Sequence, residues 1–384
     1  MSRRFASLVA AFLMFCSLRA VAQEVDLSAC RGMFEIVKAM RGGASRESVE
    51  KRLDALLETR PYRVMFAHYN RSWRPNHLPK DLFRRMILSL RFEDAYKAGE
   101  NERADRMRPH WEKYYGDLSL FEKRLLQLEA TPLPKLIREG VQYAQSWLPP
   151  EWKIPDFYFP VIPNGGSPAF TIDGSQGYDF FQLPEDASGK IDIKRLVGTI
   201  AHESHHLGVA TAQPESLTPA EVVAFRVLNL AVAEGTATKF VSGAPPGCVP
   251  EIAGAPFNIF TPELTQSWNA LLADEAELVQ HQATQFERAL SGDLSSEAFD
   301  TDLREYWLSG AVGRAYVVGA EMFGAIHLAF GKEAVFAAMK DPRQLFSLYN
   351  KALDAKPKAL ARCVRVPENT AKQALALGKS ARPE

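Results

Sequence analysis

The sequence predicts a mainly α-helical α+β protein with one small β element, on three observations. Apolar residues recur at spacings of three and four over most of the chain. One stretch, from about residue 150 to 182, is instead punctuated by Pro and Gly and carries short aromatic and β-branched runs. The 384 residues are 46% hydrophobic and 24% charged, which suffices to bury a large core and excludes disorder as the main state.

Residues 1–22 divide into three zones: Arg3 and Arg4, an apolar run from Phe5 to Leu18, and Ala20-Val21-Ala22. A positive start, a short apolar core and an A-x-A site make a secretory signal peptide, too short for a stable anchor. Cleavage near Ala22 is expected, giving an exported protein, periplasmic or secreted, of net charge about −3. Cys16 follows Met14 and Phe15 where a lipoprotein signal needs small residues, so no lipid anchor is expected there. Lys plus Arg and Asp plus Glu both count 46 with no basic block beyond the N-terminus, which argues against a nucleic-acid partner. The remaining chain has no apolar run of membrane length and so no transmembrane anchor is expected.

Residues 23–150 read as an N-terminal helical region, with apolar triplets such as Leu53-Leu56-Leu57 and Leu82-Met86-Leu90 and breaks at Gly42-Gly43, Leu78-Pro79 and Thr131 to Pro134. Residues 151–355 read as a second domain that opens with the β element: Phe157 to Phe159, Ala169 to Ile172 and Phe180-Phe181 as strands. Helices are then expected over Asp192–Ala210, Thr218–Val241, Thr261–Leu290, Ser296–Leu308, Ala311–Phe330 and Lys332–Met339. Residues 356–384 read as a polar C-terminal tail with at most a short helix. Cys30, Cys248 and Cys363 remain after export and would permit one bridge, with Cys248 and Cys363 favoured by their loop-like settings although spacing leaves the pairing open.

The chemistry concentrates at His202-Glu203-Ser204-His205-His206, an H-E-x-x-H pattern inside a helical segment whose apolar face is Leu196, Val197, Ile200 and Leu207. Histidines at i and i+4 lie one turn apart on one face, so both imidazoles can hold one metal ion, and Glu203 stands beside the open position as a general base. Val209 and Ala212 occupy the places where an extended motif needs Gly and His. A later carboxylate must therefore complete the set. Glu234, set in the apolar run Val227 to Ala233, is the candidate third ligand, because a lone carboxylate in such a helix needs a cation or donors. Glu221, Glu275 and Glu277 are rivals in more solvated stretches, and pairing of Glu234 with Arg226 is the structural alternative.

Two histidines with a later helical glutamate resemble the gluzincin class of zinc metallopeptidases. Ala233 and Ala237-Thr238 depart from thermolysin-like enzymes. The chain is more similar to an uncharacterised family of predicted gluzincin-type zinc peptidases through His202-Glu203-x-x-His206, Glu234-Gly235-x-Ala237 and the helix Tyr316 to Met322, over roughly residues 190–349. That resemblance implies a multi-helix zincin-like fold, Zn2+ as cofactor, a peptide or protein substrate, and His202, His206 and Glu234 as the metal ligands. Tyr316 is a candidate oxyanion donor, read from its helix face; Gly313, Gly319 and Gly324 in that helix imply a close neighbour. Pro168 to Thr171 or Tyr178 to Gln182 is expected to line the cleft as an edge strand. The alternative is a non-catalytic, zinc-stabilised periplasmic binding or scaffold protein. His205, His281 and His327, and the Arg71 to Arg74 and Arg103 to Arg108 pieces, are read as playing no direct part.

Overall fold

The computed structural model describes residues 23–71, 77–250 and 256–379. The expected export segment lies outside them, as does the part of the Arg71 to Arg74 piece from residue 72 onward. The described residues begin with β1 (Gln23–Asp26) and then run through α1 (Ser28–Arg41), α2 (Arg46–Leu57), α3 (Arg60–Tyr69), α4 (Lys80–Leu88), α5 (Glu102–Gly116), α6 (Leu118–Ala130) and α7 (Leu133–Ser146). Next come β2 (Phe157–Ile162), β3 (Ala169–Ile172) and β4 (Ser175–Asp179), followed by α8 (Ile193–Gly208) and α9 (Pro219–Thr236). The C-terminal part holds α10 (Pro262–Ala273), α11 (Glu275–Ser291), α12 (Ser296–Asp302), α13 (Arg314–Phe330), α14 (Lys332–Lys340), α15 (Leu345–Ala355) and α16 (Glu368–Ala376). The mainly helical α+β architecture is the one the sequence predicts.

The sheet has the order β1-β2-β4-β3. β1 and β4 flank β2 in parallel, and β3 returns antiparallel along β4. Both central strands are buried along their whole length, as strands covered on two faces must be. The β3–β4 turn uses Asp173 and Gly174, both at positive φ (42° and 68°), the backbone that a two-residue hairpin demands. β3 is left as an edge strand.

Three local expectations need correction. Phe180-Phe181 is a single 3-10 turn rather than a strand, because the Asp179 carboxylate accepts the Phe181 N–H and ends the ladder. The helix expected over Thr261–Leu290 is two helices that part at Asp274 (φ −104°, ψ 16°), which frees α10 to bury Trp268 alone while α11 buries a full face. Gly313 caps α13 instead of lying inside it. β1 was not legible, being four residues with two acidic side chains.

Two close approaches hold the helices that matter. A Cβ on Gly140 of α7 would lie 2.8 Å from Ile200 Cγ2, so α7 packs directly on α8. A Cβ on Gly235 would lie 2.3 Å from the Gly319 carbonyl carbon, and one on Gly319 would lie 2.5 Å from the Ala231 oxygen: α9 and α13 touch backbone to backbone. Cys248 and Cys363 form a disulfide across 115 residues, while Cys30 is a buried free thiol bonded to the Val161 carbonyl.

Gly319→Ala is expected to lower the unfolding free energy by about 1–3 kcal/mol in a urea titration. Gly116→Ala, at a position with open space around it, should stay within about 0.5 kcal/mol of wild type. A second outcome concerns Glu275, whose carboxyl is pushed up from 4.5 to about 8 by burial and then by the neighbouring charge of Glu321. The native state thus holds this proton more tightly than the unfolded chain does, so stability is full below the unfolded value and declines as pH rises toward 8. Glu275→Gln should gain Tm relative to wild type across that window and level off above it; a difference that does not change with pH would contradict the assignment.

Candidate metal centre

The site is built on α8. Asp192 caps its N-terminus through the Arg195 N–H, and the helix turns His202 and His206 toward Glu234 of α9, with Glu203 between them in the sequence. From the sheet side, Gln176 of β4 spans to it with both ends of its amide: Nε2 donates to the Ile200 carbonyl (3.0 Å) and Oε1 accepts from Ser204 (3.2 Å). α8 is therefore fixed by a buried amide on one side and by the α7 contact on the other.

His202, His206 and Glu234 converge. His202 Nε2 and His206 Nε2 lie 3.0 Å apart, and Glu234 Oε2 is 3.4 Å from His206 Nε2 and 3.9 Å from His202 Nε2. A tetrahedral ion with bonds of about 2.0–2.1 Å separates its ligand atoms by roughly 3.3 Å, so the three donors already stand at the edges such an ion needs. Glu234 Oε2 is buried and accepts no hydrogen bond. Two imidazole nitrogens and a carboxylate oxygen with its lone pairs turned to one point fit a divalent, zinc-like cation.

The electrostatics carry the same strain. Burial, with the like charge of His206, depresses His202 to about 3. Burial also opposes charge on His206, but the Glu234 carboxylate overcomes it and lifts that ring to about 9. Glu234 is held below the usual carboxylate range against its own burial, chiefly by His206. Glu203 is pushed up to about 7 by burial and by Glu234, against the pull of His206 and Arg71.

Tyr316 is present at the site. Its phenol hydrogen-bonds the Glu234 carboxylate, and its ring centroid lies 6.2 Å from that of His202. The Gly235–Gly319 contact explains the placement, since Glu234 precedes one glycine and Tyr316 lies one turn before the other. The alternatives for Glu234 fall away one by one: Arg226 pairs with Asp300, Glu221 closes a capping box with Thr218, and Glu277 is exposed. His205 is buried, with Nε2 3.3 Å from the Trp147 carbonyl and its ring directed away from the metal point. His281 packs against Tyr306 with the rings tilted by 38°, and His327 sits against Trp147 and Phe240. A second cluster, Cys248, Glu275 and Cys363, has its sulfurs joined to each other and offers no thiolate.

Sequence reasoning missed two residues. Ser242 Oγ meets His202 Nδ1 at 2.7 Å, fixing the ring so that Nε2 faces the ligand point. It arrives there because α9 continues into a π turn over Ala237–Val241, a five-residue detour that no residue pattern announces. Arg71, read as solvated helix surface, is half-buried instead: it donates to the Thr171 carbonyl on β3 and acts on Glu203 by charge. Residue separation hid that contact, which spans 100 positions.

A family model described as "Putative zinc dependent peptidase (DUF5700)" matches residues 53–358. The chain belongs to this family. The match takes in α3 to α7 as well as the metal helices, so the N-terminal helices are part of the family's unit. No curated protein and no solved structure shows a significant match to the chain. Family membership and the His202, His206 and Glu234 cluster together indicate a zinc-binding, peptidase-like protein.

Ser242→Ala is expected to weaken divalent-metal affinity by about tenfold or more without changing the stoichiometry, as measured by competition with a chelator. Unchanged affinity would mean that Ser242 does not orient His202.

Proposed function

We propose that the chain is an exported zinc metallopeptidase of gluzincin type, with His202, His206 and Glu234 as ligands and Glu203 as general base. The observation that carries this reading is the convergence of three donor atoms at tetrahedral spacing on the helix that also bears Glu203. Zinc bound there would supply a Lewis acid that acidifies water and polarises the scissile carbonyl. Glu203, raised to about 7, is poised to take a proton from water near neutral pH and pass it to the leaving amine. We assign Tyr316, partly buried beside Glu234, to the oxyanion: its phenol donates to the Glu234 carboxylate here, and engagement of that carboxylate by zinc would free the proton for the developing charge.

The edge strand β3 lies against α8 and offers backbone groups for an extended peptide, with Arg71 at its Thr171 carbonyl. Among the described residues no helix is long and apolar enough to cross a membrane. The signal-peptide pattern ahead of Gln23 supports export, and the Cys248–Cys363 bridge supports an oxidising compartment.

Elemental analysis of the chain from Gln23 onward should find about one zinc per molecule, sharply reduced in His202→Ala and in Glu234→Ala. Glu203→Gln should keep the zinc and lose peptide hydrolysis by about a hundredfold or more against a peptide library. Zinc retained by both ligand variants would overturn the site. Zinc bound stoichiometrically by the wild-type chain with no library peptide hydrolysed would overturn the peptidase assignment while leaving a zinc-stabilised binding protein.

A further inference from the structure

Away from the metal centre, a cavity of about 550 Å3 opens between the N-terminus of α11 and the loops that carry the disulfide. Gly247, Cys248, Leu272, Glu275, Arg362 and Val364 line it. Its floor contains Glu275, which is 7% exposed and whose buried Oε1 has no hydrogen-bond partner. A carboxyl oxygen of Glu275 and the two sulfurs of Cys248 and Cys363 all lie within 4.8 Å of one another. Cys248 is buried, and Cys363 is partly exposed.

A bridge whose only task is to tie two loops gains nothing from a buried, unsatisfied carboxyl beside its sulfurs, and that oxygen is a cost to the fold. Four charged or titratable groups face Glu275: Glu321 from α13, Lys239 from the π turn, Arg362 from the loop after α15, and Tyr349 from α15. Burial and Glu321 outweigh the two cations, so the carboxyl keeps its proton at neutral pH. A protonated acid next to a disulfide is what a departing thiolate needs, because protonation makes it a better leaving group. Arg362 on the cavity wall adds a cation that attracts an incoming thiolate.

We propose that Cys248–Cys363 is a site of thiol–disulfide exchange, opened through this cavity by an external dithiol, with Glu275 as proton donor to the departing Cys248 sulfur. The thiolate of the dithiol attacks the partly exposed Cys363 sulfur, forming a mixed disulfide. The Cys248–Cys363 bond breaks, its electron pair goes to Cys248, and the Glu275 proton follows it. The second thiol of the dithiol then attacks its own sulfur in the mixed disulfide, closing the oxidised dithiol ring and releasing Cys363. Two electrons pass from the dithiol to the bridge. The two thiol protons restore Glu275 and protonate Cys363, one by way of the solvent.

The test uses dithiothreitol on the folded oxidised chain from Gln23 onward, with alkylation of the new thiols and intact mass as the readout. Wild type should be reduced at a rate first order in dithiothreitol under native conditions. Glu275→Gln, which cannot give up a proton, should be reduced about tenfold or more slowly near pH 7. That gap should narrow above about pH 8, where wild-type Glu275 has lost its proton. Because Glu275→Gln is expected to be the more stable protein at neutral pH, each second-order rate is also measured in low urea, where reduction through unfolding rises with the full unfolding m-value and exchange in the folded chain does not. A rate independent of dithiothreitol concentration, or one that rises with urea as steeply as the unfolding equilibrium, would show that the bridge opens only when the chain unfolds and would overturn the proposal. Equal second-order rates in wild type and Glu275→Gln would overturn the role of Glu275. None of these readouts depends on zinc or on peptide hydrolysis.

Discussion

The contact on which the site rests is the crossing of α9 and α13 at Gly235 and Gly319, where the two backbones meet with no side chain between them. Any larger residue would hold the helices apart by the thickness of a methyl group at least, and interiors packed at crystal density have no slack to absorb that. The separation matters because each helix carries its functional side chain next to its glycine. Glu234 and Tyr316 meet only because the axes are this close, and Glu234 in turn reaches the histidines of α8. The stability given up by placing glycine in two helices is offset by a geometry that no longer side chain permits.

The same crossing concentrates charge in a place from which water is largely removed. Two histidines and two glutamates within one cluster push one another far from their ordinary protonation: His202 falls to about 3 and His206 climbs to about 9. A cluster of this kind is unfavourable to bury unless something balances it, and a divalent cation held by the three converging donors would do so. Glu203 lies beside the donors, with its carboxyl tuned toward neutrality by the burial that the fold imposes. Support for this arrangement is drawn from the whole chain. Gln176 of the sheet and Gly140 of α7 position α8, while Arg124 of α6 donates to the Phe180 and Leu183 carbonyls and so fixes the segment that leads from β4 toward α8.

Much of this was legible in the residues. The H-E-x-x-H spacing specifies a helix face by itself, because i and i+4 are neighbours in any α-helix whatever surrounds it. Glu234 was legible for a different reason: a carboxylate in a mostly apolar run has to be reconciled with burial. The β element between 157 and 179 announced itself through Pro, Gly and aromatic residues, whereas β1 did not, since four residues paired to a distant strand have no period of their own to read. Phe180-Phe181 misled because an aromatic pair suits a strand and a 3-10 turn equally well, and only the Asp179 cap decides between them.

Local periodicity and side-chain chemistry suffice for the helical class, the candidate metal-binding face of α8 and the kinds of donor atom involved, and all three could be read from the residues alone. Packing decided which carboxylate stands beside the two histidines, which serine meets His202, that Arg71 lies at β3, and that Glu275 faces a disulfide. Several of those contacts join residues far apart in the chain, such as His202 with Ser242, 40 positions on, and Arg71 with Thr171, 100 positions on. Such contacts follow from how helices cross and where a π turn shifts the chain, and these are properties of packing that no single segment contains.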